Sequence, residues 1–243
     1  MADIIDTALI EIQSSVRDFF GWAYSDDLDS ALSVSKYFEQ IAPFGVEKWG
    51  FENRRRALNS LQQRLTSANN VFIIGASISN NELTSRNLSD GEIIAADGSV
   101  GAIGNHHKLA CVVTDFDGHP YLDDIAELGV CFVTHAHGDN QQRWLKSFET
   151  WKDFANPPEL ILSHQVNETI FGMDNYGGFT DGDRAVCLAL ALGVPVEKIT
   201  LLGFSTKKIG EWSGQTNKEK KLQKLNWMFK ILQTVGLSEQ IEN

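Results

Sequence analysis

Five polar segments hold side chains able to ligate cations or contact anions: Gly75-Ala76-Ser77, Asp97-Gly98, Asp115-Phe116-Asp117-Gly118, His135-Ala136-His137-Gly138-Asp139-Asn140 and Thr180-Asp181-Gly182-Asp183-Arg184. The first four each follow a short apolar run, and the fifth opens a helical pattern. A single Asp-Gly at a strand end is ordinary turn chemistry. Several on successive strands suggest a site. If Asp115 and Asp117 converge with Asp97 and Asp181, each carboxylate pair at about 4 Å and an effective dielectric near 20 costs roughly 4 kcal/mol in direct Coulomb terms. A divalent cation relieves that repulsion. Magnesium takes oxygen ligands, commonly one or two carboxylates together with substrate phosphates. Asp115 and Asp117 are therefore the expected metal ligands.

Each motif also has a competing reading. His135-x-His137-x-Asp139 resembles the opening of a zinc site in metallo-β-lactamase-like hydrolases. That site needs a further histidine where this chain has Asn140, and only His164 lies downstream, so the ligand set for zinc falls short. Thr114-Asp115-Phe116-Asp117-Gly118 is similar to the nucleophile loop of haloacid-dehalogenase-type phosphatases, but His119-Pro120 follows where a threonine is expected. Thr180-x-x-Asp183 has near capping-box spacing, which accounts for those two residues without any ligand. Gly177 and Gly178 just before it are expected to let the backbone pass close to one.

The elements needed to position these residues can be read along the chain. Short runs at 71–74, 92–96, 110–114, 130–134, 160–162 and 199–202 are rich in β-branched residues and barely alternate, as strands covered on both faces do. Helical segments at 141–154 and 184–192 fall between some of them. The expected fold is α/β, a Rossmann-like, mostly parallel sheet flanked by helices. In such sheets, ligands bind beyond the carboxyl ends of the strands. Residues 1–67 read as a helical N-terminal region, with Ile5, Leu9, Ile12, Val16 and Phe19 at helical spacing. Further segments lie at 28–41 and 51–65, the last bearing Arg54, Arg55 and Arg56, most simply a solvated face. Residues 68–243 read as the catalytic core, closing on an amphipathic helix that Thr216-x-x-Glu219 is expected to cap.

Bulk properties narrow the partners. A formal net charge of −11 excludes a general nucleic-acid binder, and a polyanionic substrate would need a metal or a local basic cluster. No apolar run approaches the roughly 18–20 residues that cross a bilayer. The N-terminus has neither a basic start nor an apolar stretch, so a cytoplasmic location is expected. Cys111, Cys131 and Cys187 lie in apolar stretches without CxxC spacing and should be buried and reduced.

Ala95-Ala96-Asp97-Gly98-Ser99, the 112–118 segment VVTDFDG, the 135–140 segment HAHGDN and the 177–186 segment GGFTDGDRAV together resemble the archaeal-type 6-hydroxymethyl-7,8-dihydropterin pyrophosphokinase family. The chain is more distantly similar to thiamine pyrophosphokinases. It departs from the family's Gly-x-Gly-Pro-Ser loop, having Gly75-Ala76-Ser77-Ile78-Ser79, and His106-His107 stand where a proline-containing lead-in is expected. The resemblance implies magnesium-dependent transfer of diphosphate from ATP to a pterin alcohol, releasing AMP, on the route to folate- or tetrahydromethanopterin-type carriers. It implies Asp115, Asp117 and Asp181 at the reacting phosphates, with magnesium on the first two. Gly75, Asp97, His135, His137, Asp139, Asn140 and Lys221 would frame the nucleotide, and Gln165, Thr180 and Asp183 the pterin. Lys207, Lys208 and Lys218 are further candidates for the triphosphate. A metal-dependent phosphohydrolase, a thiamine pyrophosphokinase-like enzyme and a nucleotide-binding module without turnover remain alternatives, and a homodimer is one open assembly.

Overall fold

The six apolar runs pair side by side, all parallel, in the order β5-β4-β3-β2-β1-β6. The strands are β1 Asn70–Ile74, β2 Gly91–Ala96, β3 Leu109–Thr114, β4 Cys131–Ala136, β5 Glu159–His164 and β6 Ile199–Leu202. The computed structural model describes residues 7–103, 108–214 and 217–242. Ile5, His106, His107 and Thr216 lie outside the described residues. From β1 the chain steps outward strand by strand to β5, then returns to place β6 on the other side of β1. That reversal leaves a crevice between the loops after β1 and β6, where open α/β sheets bind ligands.

Parallel strands need crossover connections, and helices cover both sheet faces. On one face, Phe72, Ile74, Ala95, Val112, Phe132 and Leu160 pack with α2 (Tyr24–Phe38), α5 (Tyr121–Ala126) and α6 (Gln141–Trp151). On the other, Val71, Ile73, Ile94, Cys111, Val133 and Ile161 pack with α3 (Phe51–Ser67), α7 (Asp181–Ala191) and α8 (Lys218–Thr234). α1 (Thr7–Phe20) lies outside this second layer, with Leu9 and Val16 packed beside Cys187 of α7 and Ile231 of α8. The N-terminal helices thus enter both layers. A short α4 (Asn80–Thr84) follows β1. The three cysteines are free and buried, and no described helix is long and apolar enough to cross a membrane. Asn217 caps α8 by accepting from the Lys220 N–H.

Of the three arginines expected on a solvated face, Arg55 and Arg56 are exposed and Arg54 is buried. Its guanidinium donates to the Trp49 carbonyl at 2.6 Å and the Phe38 carbonyl at 3.4 Å, over the Phe38 ring. Arg54 is therefore a tie between α3, the end of α2 and the 47–50 turn. Arg54→Met should remove those charged hydrogen bonds and destabilise the fold by about 1.5–3 kcal/mol. Urea denaturation measures this, and a change under about 0.5 kcal/mol, the range of ordinary surface substitutions, would show that the guanidinium holds nothing in place.

Candidate active site

All strand carboxyl ends lie on one edge of the sheet, so the polar loops after β2, β3 and β4 are neighbours there. Asp97 follows β2, Asp115 and Asp117 follow β3, and Asp181 opens α7, which packs across β1, β2 and β3. One carboxylate oxygen from each of Asp97, Asp115, Asp117 and Asp181 lies within 4.8 Å of the others. Local backbone makes this possible. Phe116 has φ 71°, a left-handed conformation that bulky residues seldom adopt. Its ring is locked in the core against Phe148 and Trp151, and its N–H donates to Thr114 Oγ1 at 2.8 Å. Thr114 Oγ1 in turn donates to Asp97 Oδ1 at 2.5 Å, joining the two loops. Gly118 is required for that approach, because a Cβ there would stand 2.5 Å from Asp97 Oδ2.

The four carboxylates are not alike. Burial, then the charges of Asp117 and Asp181, push the Asp97 carboxyl well above its usual range. Burial, then the charge of Asp115, raises Asp181 to about 8. Burial also works to raise Asp115, but the His137 hydrogen bond and charge, followed by Arg184, hold it well below the ordinary carboxylate range. His137 Nε2 lies 3.0 Å from Asp115 Oδ2, and Arg184 Nη1 lies 3.2 Å from Asp181 Oδ1 and 3.8 Å from Asp115 Oδ2. Asp115 Oδ1 is buried without a hydrogen-bond partner. A hard divalent cation fits this donor set: oxygen ligands only, mutually repelling, with one buried oxygen unclaimed.

Besides an open hollow lined by Asp117, Arg143 and Lys146, two more enclosed cavities lie beside the cluster. A narrow cleft at the β1/β6 switch point is lined by Gly75, Asp97, Asp117, Thr180, Asp181 and Lys221, with Phe204, Leu225 and Met228 as its apolar wall. Gly75 is needed there, since a Cβ would meet the Gly203 carbonyl at 2.7 Å. The second cavity, about 180 Å³, lies under the α1–α2 turn and is lined by Trp22, Asp27, His137, Asp139, Gln165 and Lys224. Asp27 fixes its floor, accepting from the Gly138 N–H at 2.9 Å, Gln165 Nε2 at 2.8 Å and Arg17 Nη1 at 3.1 Å.

Several residues expected at the ligand are engaged in contacts within the protein. Asn140 is fully buried, donating to the His135 and Asp115 carbonyls and accepting from the His137 N–H, so it folds the loop. His135 is buried between Ser163 and Gln165, and burial, followed by the charges of Arg184 and His137, keeps it neutral by lowering its pKa. Asp183 is sealed from solvent, accepting from the Phe179 and Thr180 N–H groups and the Thr180 hydroxyl in a complete capping box. It offers no edge to a flat ring. Gly177 and Gly178 have φ 82° and 83° and approach Leu9 and Arg184, and Gly177 lines a small pocket with His135 and Arg184, apart from both larger cavities. Lys208 lines the cleft while paired with Glu242, and Lys218 is exposed. Trp22, Asp27 and Lys224 carried no local motif; the i, i+4 spacing of Lys220 and Lys224 behind a helix cap was the only signal of a lysine face.

Fold and site define a Rossmann-like α/β protein with an acidic cluster, able to hold a cation, beside its switch point. No family model matches the chain. It is 32% identical over 198 residues, 73% of this chain and 79% of the relative, to the 6-hydroxymethyl-7,8-dihydropterin pyrophosphokinase of Pyrococcus furiosus. The protein of that name from Methanocaldococcus jannaschii is 28% identical over 200 residues, 79% of this chain and 76% of the relative. That from Methanothermobacter thermautotrophicus is 35% identical over 116 residues, 46% and 45% of the two chains. The chain belongs to the 6-hydroxymethyl-7,8-dihydropterin pyrophosphokinase family.

Two outcomes follow from the geometry. In the unfolded chain the Asp97 and Asp181 carboxyls ionise near pH 4. Above that pH the folded protein retains protons the unfolded chain has lost, so stability falls as pH rises toward about 8 at Asp181. The metal-free protein should therefore melt at progressively lower temperature from pH 5 to pH 9, and Asp181→Asn should flatten that slope in calorimetry. A slope unchanged in the variant would assign the effect to other groups. Separately, Asp183→Ala should cost about 1–3 kcal/mol of stability, since it leaves buried donors unpaired. A melting curve together with separate ligand titrations checks this: if only one ligand's affinity falls and the melting temperature holds, Asp183 reads that ligand.

Proposed function

We propose that this protein is an enzyme that transfers the β,γ-diphosphate of ATP to 6-hydroxymethyl-7,8-dihydropterin, releasing AMP, with magnesium as cofactor. The observation that carries the reading is the convergence of Asp97, Asp115, Asp117 and Asp181 beside the sheet's switch point, in a chain whose relatives carry that name. The pathway is the biosynthesis of folate- or tetrahydromethanopterin-type cofactors, in the cytoplasm.

Asp115 and Asp117 would hold the magnesium, with Asp97 and Asp181 beside them. Bound there, the ion would neutralise phosphate charge and polarise the phosphoryl oxygens. Gly75 and Lys221 line the cleft that suits the nucleoside and its first phosphate, where a glycine backbone permits close approach. Thr180 stands at the same cleft, so it falls on the nucleotide side. Asp139 and Gln165 line the other cavity, which suits the pterin: Trp22 offers a flat apolar wall and the polar groups an edge. His137 pins Asp115 in its ionised form at the junction. In the reaction the acceptor hydroxyl oxygen bonds to the β-phosphorus as the bond to the α,β-bridging oxygen breaks. AMP leaves with that electron pair, and the hydroxyl proton passes to solvent. Catalysis consists mainly of alignment and charge stabilisation between the two cavities.

Incubation with ATP, magnesium and a panel of pterin, thiamine and pyrimidine alcohols tests the assignment. AMP should form only with the pterin alcohol, whereas phosphate released without any acceptor would make the protein a hydrolase. Asp117→Asn should lower turnover by about a hundredfold or more with the fold intact. Retained turnover with unchanged magnesium dependence would remove Asp117 from the metal. The purified protein should hold no stoichiometric zinc by elemental analysis.

A further inference from the structure

Lys224 is a mostly buried lysine without an anion. On the second turn of α8 its ammonium stands 5.6 Å from the centres of both the Trp22 and the Phe179 rings. Among the described residues no carboxylate lies within ion-pair distance of it. Burial lowers its pKa, and the largest opposing influence is the charge of Asp115. Taking an ammonium out of water is costly, and aromatic faces return only part of that cost. The same cavity admits Lys220, one turn earlier and 5.1 Å from the Trp22 ring. Lys221, between them in sequence, turns to the nucleotide cleft instead. The first turns of α8 therefore present ammonium groups to both cavities. Against a formal charge of −11 for the whole chain, this lysine face offers local positive charge to a condensed phosphate.

We propose that Lys224, assisted by Lys220, seats the terminal phosphates of the nucleotide between the aspartate cluster and the Trp22 cavity, and holds the diphosphoryl group while it changes partners. The catalytic part rests on the reading of the protein as an ATP diphosphotransferase; the phosphate seat does not. Lys224 stays protonated throughout and donates to non-bridging phosphoryl oxygens, so it supplies charge and direction without exchanging a proton. Its place on the acceptor side of the cluster distinguishes it from Lys221, which meets the part of the nucleotide that departs.

The competing role for Lys224 is packing: a long stem lying between two aromatic rings. Lys224→Met keeps the stem and removes the charge, so the two roles separate. Three measurements are made on the full chain: titration calorimetry with inorganic tripolyphosphate and magnesium, steady-state kinetics, and a melting curve. In Lys224→Met, tripolyphosphate affinity should fall about tenfold or more, the loss of one charged hydrogen bond. Its kcat should fall by about 10²–10³-fold, a larger loss than any in affinity for the pterin alcohol, while the melting temperature holds. Lys224→Arg should recover part of both losses, and Lys220→Met, on an exposed position, should show a smaller loss of tripolyphosphate affinity without any folding defect. Wild-type tripolyphosphate affinity in both methionine variants would overturn the seat, and a kcat within about threefold of wild type in Lys224→Met would overturn the catalytic role. If the wild type transfers no diphosphate yet binds tripolyphosphate through Lys224, the diphosphotransferase reading falls and the seat stands. If it transfers diphosphate and both lysine variants match it, the reverse holds.

Discussion

Four carboxylates within 4.8 Å of one another cannot all be charged without an opposing cation, and much of the surrounding structure answers to that constraint. Asp115 is kept ionised by His137 and Arg184, while burial and mutual repulsion favour the protonated forms of Asp97 and Asp181. The metal-free cluster is thus a graded set of charged and neutral acids. Holding it together requires a backbone the chain would otherwise avoid. Phe116 stays in a left-handed conformation because its ring is enclosed by Phe148 and Trp151, and such conformations persist where the surrounding packing over-determines them.

Division of labour between the sheet and its helices follows from charge. Parallel strands bring acidic loops to one edge but bring few cations with them. The counter-charges come from helices: Arg184 on α7, Arg17 on α1, and Lys220, Lys221 and Lys224 on α8. Arg17 acts indirectly, through Asp27, whose carboxylate holds the Gly138 N–H and Gln165 beside the second cavity. An acidic protein can thereby receive a polyanion at one place without attracting nucleic acid over its whole surface. The helices ahead of the first strand are consequently part of the site's architecture, since α2 carries Asp27 and the α1–α2 turn carries Trp22.

What the sequence determined by itself was local. β-branched runs that barely alternate mark strands buried on both faces, so the six strands and their parallel arrangement were readable. Once the strands are parallel, residues that follow them must share one edge, which is why the sequence pattern alone groups Asp97, Asp115 and Asp117. Residue type and the period of the pattern are enough for that. Direction is not. Asp181 and Asp183 are two residues apart on one helix turn, yet one carboxylate faces the cluster and the other closes a capping box. Asn140 and His135 are spent on hydrogen bonds within and between loops, and Arg54 leaves its exposed neighbours to tie carbonyls in the core. Lys224 bears the same side chain as Lys218, and only the packing of α8 against Trp22 and Phe179 sets them apart. The tertiary structure alone decided these cases, because whether a polar side chain meets a cavity, a ring or a backbone amide depends on neighbours distant in sequence, about which local pattern carries no information.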